Sequence, residues 1–263
     1  MNELGRRVLV TAGSNGLGFA IAKRLAADGA QVVICGRNQS ALNQAVVELQ
    51  NSTACKGAHG IVADLGSRSE VDMLFDRAIE LMDGVDCLVV NSGHMPYGTI
   101  ETLSDADWDD SYEMLLMSAV RLSRAAAKQM KASSQGGDIV FVTSAGVHEA
   151  TSHLLLSNVM RAGIAVVAKH LADVLSNSGV RVNVVAPGYF DTGRVRNRID
   201  ALMREQRLDR QGATEQIASA NPSGRIGTAD ELSELVAFVV GSRARYLNGT
   251  TIVIDGGSGR LVT

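Results

Sequence analysis

Aromatic side chains are scarce: Phe, Trp and Tyr make up 4% of the 263 residues, with a single tryptophan. Any core must therefore be aliphatic, and a 46% share of hydrophobic residues is ample to fill one. Cysteine is rarer still. Cys35, Cys55 and Cys87 cannot all pair within one chain, and their spacing matches no metal motif. Cys35 and Cys87 lie at the ends of apolar strand-like runs and read as buried free thiols. No group of His, Cys and carboxylates has ligand spacing, so no catalytic metal is expected. No apolar run reaches the roughly 18 to 20 residues that cross a bilayer, so no membrane span is expected. A net charge of −3 offers little to a nucleic acid or an anionic membrane, and neither is an expected partner. The chain reaches a strand within ten residues of Met1, so no signal peptide is expected and a reducing cytoplasm is the expected location.

What is present is alternation. Short β-branched runs at Arg7–Thr11, Gln31–Cys35, Gly60–Ala63, Cys87–Asn91, Ile139–Thr143, Arg181–Ala186 and Thr251–Ile254 read as strands. Between them, Gly16–Ala27, Gln39–Gln50, Ser69–Met82, Trp108–Lys131, Leu154–Leu175 and Ala229–Val240 read as amphipathic helices. There is no internal repeat and no long Pro- or Ser-rich linker. This order predicts an α/β fold: one domain over residues 1–263, a doubly wound parallel sheet of about seven strands with helices on both faces. The stretch Gly188–Arg225 breaks the rhythm, being polar, charged and without a strand. It follows a strand end, where the crevice of such folds lies, and is expected to form a substrate lid, helical around Arg198–Arg210.

The first strand runs straight into Thr11-Ala12-Gly13-Ser14-Asn15-Gly16-Leu17-Gly18 and an apolar helix. Glycines between strand and helix let the backbone approach a pyrophosphate, which sits at the positive end of the helix. The residues Gly13, Ser14, Asn15, Gly16, Leu17 and Gly18 are thus candidate cofactor contacts.

The spacing resembles the Thr-Gly-x-x-x-Gly-x-Gly loop of the short-chain dehydrogenases/reductases, with Ala12 in place of the first glycine. Asp64 stands where that family hydrogen-bonds adenine. Asn91-Ser92-Gly93-His94 stands where it has Asn-Asn-Ala-Gly, which makes Asn91 and Gly93 cofactor candidates. Pro187, Gly188 and Thr192 match its Pro-Gly-x-x-x-Thr segment at the nicotinamide end. The resemblance implies a Rossmann fold, a dinucleotide cofactor and a small-molecule substrate. It also implies a homodimer or homotetramer built on the helices Trp108–Lys131 and Leu154–Leu175. At the end of the second strand a carboxylate would repel a 2′-phosphate. Gly36 stands there instead, followed by Arg37, which can stack on adenine and pair with phosphate, so the expected cofactor is NADP(H).

The family's catalytic asparagine, serine, tyrosine and lysine map onto Leu115, Ser144, Ser157 and Arg161, so only the serine is retained. A phenol can be tuned towards neutral pH by a neighbouring cation, whereas a serine hydroxyl is far less acidic and an arginine stays protonated. Ser157 and Arg161 are therefore expected to stabilise negative charge on a substrate oxygen together with Ser144, Arg161 also being a candidate for the cofactor ribose. Hydride delivery to the β-carbon of an α,β-unsaturated carbonyl needs such donors more than an immediate proton. The segment Ser157-Asn158-Val159-Met160-Arg161 resembles a minor branch of the family often labelled 3-oxoacyl-ACP reductase-like. The expected activity is NADPH-dependent reduction of a small carbonyl or enone. The alternative is a nucleotide-binding module, or a non-redox enzyme, that has kept the fold and lost hydride transfer. His94, Tyr97, His148, His153 and Tyr189 lie where a substitute proton donor would be sought.

Overall fold

A computed structural model of the chain describes residues 5–260 apart from 53, 94, 134, 150–152 and 220. Seven strands form one sheet: β1 Arg7–Val10, β2 Gln31–Gly36, β3 Gly57–Val62, β4 Cys87–Val90, β5 Gly137–Val142, β6 Val180–Pro187 and β7 Thr251–Ile254. Their order is β3-β2-β1-β4-β5-β6-β7, and every pairing is parallel. The order reverses direction between β1 and β4, the switch point at which a crevice opens beyond the carboxyl ends of the strands.

Alternation along each strand sends neighbouring residues to opposite faces. Leu9, Val33 and Cys35 pack on one face with α3 (Arg68–Met82), α5 (Ser118–Ala132) and α6 (Leu155–Leu175). Val8, Val10, Val32 and Ile34 pack on the other with α1 (Gly16–Ala27), α2 (Gln39–Gln50) and α9 (Ala229–Val240). The expected doubly wound architecture with an aliphatic core is present. Cys35 and Cys87 lie in it as free thiols, and burial pushes both up to about 12.

Three local departures from the expected elements have physical causes. Strand β3 starts three residues early, because it pairs only with β2 and its burial alternates, so no apolar run marks its beginning. The helix expected from Trp108 begins as α4 (Asp105–Ser111), where Ser104 and Asp107 form a reciprocal capping box. It then widens into a π-helical segment, Tyr112–Met117, before continuing as α5. That segment carries Leu115, fully buried against Met95, Leu156 and Met160.

The third difference is in the 188–225 excursion. It folds as two helices, α7 (Gly193–Gln206) and α8 (Arg210–Ala218), turning at Arg207 with φ +55°. Helix thus begins earlier than Arg198 and is broken before Arg210. Val195, Ile199, Leu202, Ala213 and Ile217 give the pair a small core of its own. A bridge between Phe190 and Gly227 closes its base, with Asp191 N donating to Gly227 O at 2.8 Å and Gly227 N to Tyr189 O at 2.9 Å.

Candidate active site

The glycine loop is shaped by close backbone approach. Thr11 Oγ1 donates to Asn91 O (2.5 Å) and accepts from Asn91 N (2.9 Å), joining the ends of β1 and β4. Gly13 N donates to Cys35 O at 2.8 Å, tying the loop to β2. A Cβ on Gly18 would collide with Ala12 O and lie 2.8 Å from Asn91 Nδ2, so only glycine fits there. Ala12 takes φ +45°, a left-handed conformation in which a Cβ is disfavoured. The side chain of Asn15 does not cap α1, so the N–H groups of Gly16, Leu17 and Gly18 have no intrahelical acceptor at the crevice mouth. Donors at the positive end of a helix, beside a wall stripped of Cβ atoms, fit a pyrophosphate. Across the gap, a Cβ on Gly16 would lie 3.8 Å from Thr192 Cγ2, which places Thr192 opposite the loop.

The residues expected to meet adenosine lie on the β2 and β3 side. A Cβ on Gly36 would come within 2.7 Å of Ser14 Oγ, so a carboxylate could not stand there unless Ser14 moved. Arg37 follows, exposed, while Asn38 caps α2 by accepting from Ala41 N at 2.9 Å. Asp64 sits partly buried at the end of β3 and accepts from Gly66 N at 2.9 Å. Pro187 is buried at the end of β6, and Gly188 N donates to Ile254 O at 2.9 Å.

The candidate catalytic residues gather around Arg161 at what is expected to be the reacting end. Ser144 follows β5 and accepts from Gly146 N at 3.3 Å, opening a short turn. That turn packs hard on α6, since a Cβ on Gly146 would collide with Asn158 Oδ1. Arg161, one helical turn beyond Ser157, points inward and is 5% exposed. Its Nε donates to Ser157 Oγ at 3.0 Å, and its Nη1 to the carbonyls of Val142 and Thr143, each at 3.0 Å. Its Nη2 reaches Gly93 O at 3.4 Å. One side chain thereby links Ser157, the strand end carrying Ser144, and the loop after β4. No carboxylate pairs with Arg161 among the described residues, and burial, reinforced by the charge of Arg194, pulls its pKa down to about 10. The cation persists at neutral pH, held by carbonyl dipoles and a hydroxyl.

Ser157 accepts from a permanent donor, so its own O–H is left to donate elsewhere. The structure brings Ser144, Ser157 and Arg161 together, with Gly93 at the edge. Leu115 contributes only packing. Of the proton donors sought from the sequence, His148 and His153 are exposed, and Tyr97 and Tyr189 are 46% and 38% exposed. His94 lies outside the described residues. Among the described residues, no three of His, Cys, Asp and Glu gather as a metal site, and no helix is long and apolar enough to cross a membrane.

Arg194, two residues past Thr192, belongs to this end as well, although no motif in the sequence singles it out. It leans from the first turn of α7 towards Tyr97, its guanidinium 5.8 Å from the ring centroid, and acts on Arg161 electrostatically. The chain signal that could have found it is an arginine so soon after the Thr192 motif.

Comparison with known proteins identifies the family. A family model described as enoyl-(acyl carrier protein) reductase matches residues 11–259. The chain is 34% identical to dehydrogenase/reductase SDR family member 4 of Bos taurus, covering 98% of this chain and 88% of that protein. It is 32% identical to the 3-oxoacyl-[acyl-carrier-protein] reductase MabA of Mycobacterium tuberculosis, covering 97% and 94%. L-sorbose reductase from Gluconobacter frateurii, solved with NADPH and L-sorbose, superposes with a TM-score of 0.94 at 27% identity over 100% of both chains. A short-chain dehydrogenase from Burkholderia cenocepacia in complex with NADP gives 0.86 at 32% identity, covering 98% of this chain and 99% of that one.

Proposed function

Since the chain belongs to the short-chain dehydrogenase/reductase family of oxidoreductases, we propose that it is an NADPH-dependent reductase of a small carbonyl compound, with α,β-unsaturated carbonyls favoured. The observation that carries this reading is the bond from Arg161 Nε to Ser157 Oγ, made by a buried cation with no carboxylate partner among the described residues.

NADP(H) fits the cradle of Gly13, Ser14, Asn15, Gly16, Leu17 and Gly18, with Asp64, Asn91, Gly93, Pro187, Gly188 and Thr192 along its length. Arg37 meets the 2′-phosphate, and the missing Cβ at Gly36 leaves room for it. When bound, the cofactor supplies a hydride. The residues of the chain handle the substrate oxygen. Ser144 and Ser157 donate hydrogen bonds to it, and Arg161 polarises the Ser157 hydroxyl from beneath while holding the strand end of Ser144 in place. Charge developing on the oxygen is thus met by fixed dipoles and a cation, without movement of a proton at that atom. With an enone, hydride from the bound cofactor would go to the β-carbon, Ser144, Ser157 and Arg161 would stabilise the enolate oxygen that the shifted C=C pair leaves, and water would protonate the α-carbon. A saturated ketone would place a full alkoxide on the oxygen, beside a serine too weakly acidic to protonate it. The helices α7 and α8 cover the substrate end as a lid, since Thr192 faces Gly16 and Arg194 reaches Tyr97. Exposed Val159, Val166 and Val174 on α6 support association into a homodimer or homotetramer.

The test is NADPH oxidation with methyl acetylacrylate, an enone, against methyl levulinate, its saturated counterpart. Reduction of the enone at least about tenfold faster is expected. Tight NADPH binding without turnover of either would instead support a nucleotide-binding module that has lost hydride transfer.

A further inference from the structure

Among the described residues, both arginines at the reacting end lack a counter-charge. Arg161 is buried, and the charged side chain that acts on it is another cation. Four of its donor contacts are taken, by Ser157, Val142, Thr143 and Gly93. A guanidinium has five N–H groups, so one on Nη2, the end nearest the loop after β4, is unassigned among the described residues. Arg194 makes no ion pair among the described residues and rests against the Tyr97 ring. The acid nearest to it in sequence, Asp191, pairs with Arg196 at 2.9 Å. By contrast, Arg121, behind this end on α5, is matched by Glu113 at 2.6 Å. Gly93, which accepts from Arg161, and Tyr97, which carries Arg194, lie on the same loop after β4, so two cations unpaired among the described residues flank one stretch of chain, an arrangement that a bound anion relieves.

We propose that the cleft is built for an anionic substrate, a carbonyl compound carrying a carboxylate, whose charge is met by Arg194 from the covering helix and by Arg161 from the floor. Tyr97 supports the planar guanidinium of Arg194 so that its donor edge faces the carboxylate. A carboxylate accepts two parallel N–H bonds from such a group, which a hydroxyl or an ester oxygen cannot do as well. This proposal rests on the reductase reading of the same site, but concerns which substrate enters rather than how it is reduced.

The experiment compares calorimetric binding of levulinate and of methyl levulinate to the protein saturated with NADP+, in which no reduction can occur. Levulinate is expected to bind at least about tenfold tighter, roughly 1.4 kcal/mol, with the margin shrinking as salt is raised. In Arg194→Gln the margin should fall to within about threefold, and Arg194→Lys should restore part of it. The proposal is overturned if levulinate binds no tighter than its ester, or if the preference survives Arg194→Gln. Its failure is separable from failure of the reductase reading, because wild-type turnover of the neutral methyl acetylacrylate tests that reading alone.

Discussion

The two edges of the sheet treat buried arginine in opposite ways. At the amino-terminal edge, Arg6 and Arg181 converge on Asp138 at 2.5 and 2.6 Å, and Arg7 meets Asp86 at 2.5 Å. Asp138 is 6% exposed, and Arg6 also donates to Val240 O and Asp86 O. Each of these three cations meets a carboxylate there, Arg6 and Arg181 sharing Asp138, and the cluster ties β1, β5 and β6 to the end of α9. At the carboxyl edge Arg161 is as deeply buried, yet has carbonyls, one serine and a neighbouring cation around it. A cation paired with a carboxylate serves the fold and has little charge left to offer a ligand. An unneutralised one is held in place by the fold and keeps its field for whatever enters the cleft.

The contrast breaks most directly at Asp138. Asp138→Ala strands two buried guanidiniums and should cost about 3–5 kcal/mol in chemical unfolding, with NADPH affinity of the folded protein unchanged. A loss under about 1 kcal/mol would mean that Asp138 does not hold the amino-terminal arginines in place.

Ser157→Ala should do the reverse. It removes one oxygen-stabilising donor and should lower kcat about 10²- to 10³-fold, while stability changes by no more than about 1 kcal/mol. A fall confined to KM would assign Ser157 to binding alone. Arg37→Ala probes a third kind of arginine, exposed and awaiting a phosphate. It should weaken NADPH binding about tenfold to a hundredfold, roughly 1.4–2.8 kcal/mol, and leave NADH binding unchanged in titration calorimetry.

The smallest effects are expected from the charge of Arg161 itself. Arg161→Met removes a cation that no described carboxylate neutralises and should cost less than about 2 kcal/mol in unfolding, well below Asp138→Ala. The sign of its pH dependence follows from the lowered pKa. The folded state disfavours the protonated form relative to the unfolded chain, so the penalty is complete below about 10 and is relieved only as pH rises above that value. Between about pH 6 and 9, in the range of ordinary assays, Arg161 should contribute no inflection to the rate profile.

Much of the frame was legible in the chain, because strand and helix periodicities differ and because Gly18 admits no substitute. The Ser157 and Arg161 positions could be counted from strand landmarks on either side. The environment of Arg161 could not, because it depends on which carbonyls a side chain meets where the ends of β4 and β5 converge. Arg194 was hidden for a related reason: its partner Tyr97 is nearly a hundred residues away and across the cleft. The π-helical segment at Tyr112–Met117 leaves no periodic trace, since one wide turn shifts the register only locally. The helices α7 and α8 bury a small core of their own, and their polar surface let only one helical stretch, around Arg198–Arg210, be read in the chain.

We hold that an unneutralised Arg161, acting through Ser157, stabilises a substrate oxygen without handing it a proton. Deuteride transfer from deuterated NADPH to methyl acetylacrylate, read by NMR, tests this most directly. Deuterium is expected on the carbon β to the ketone with the ketone retained, and that transfer should be lost in Ser157→Ala. Deuterium on a carbinol carbon, or none in the product, would contradict it.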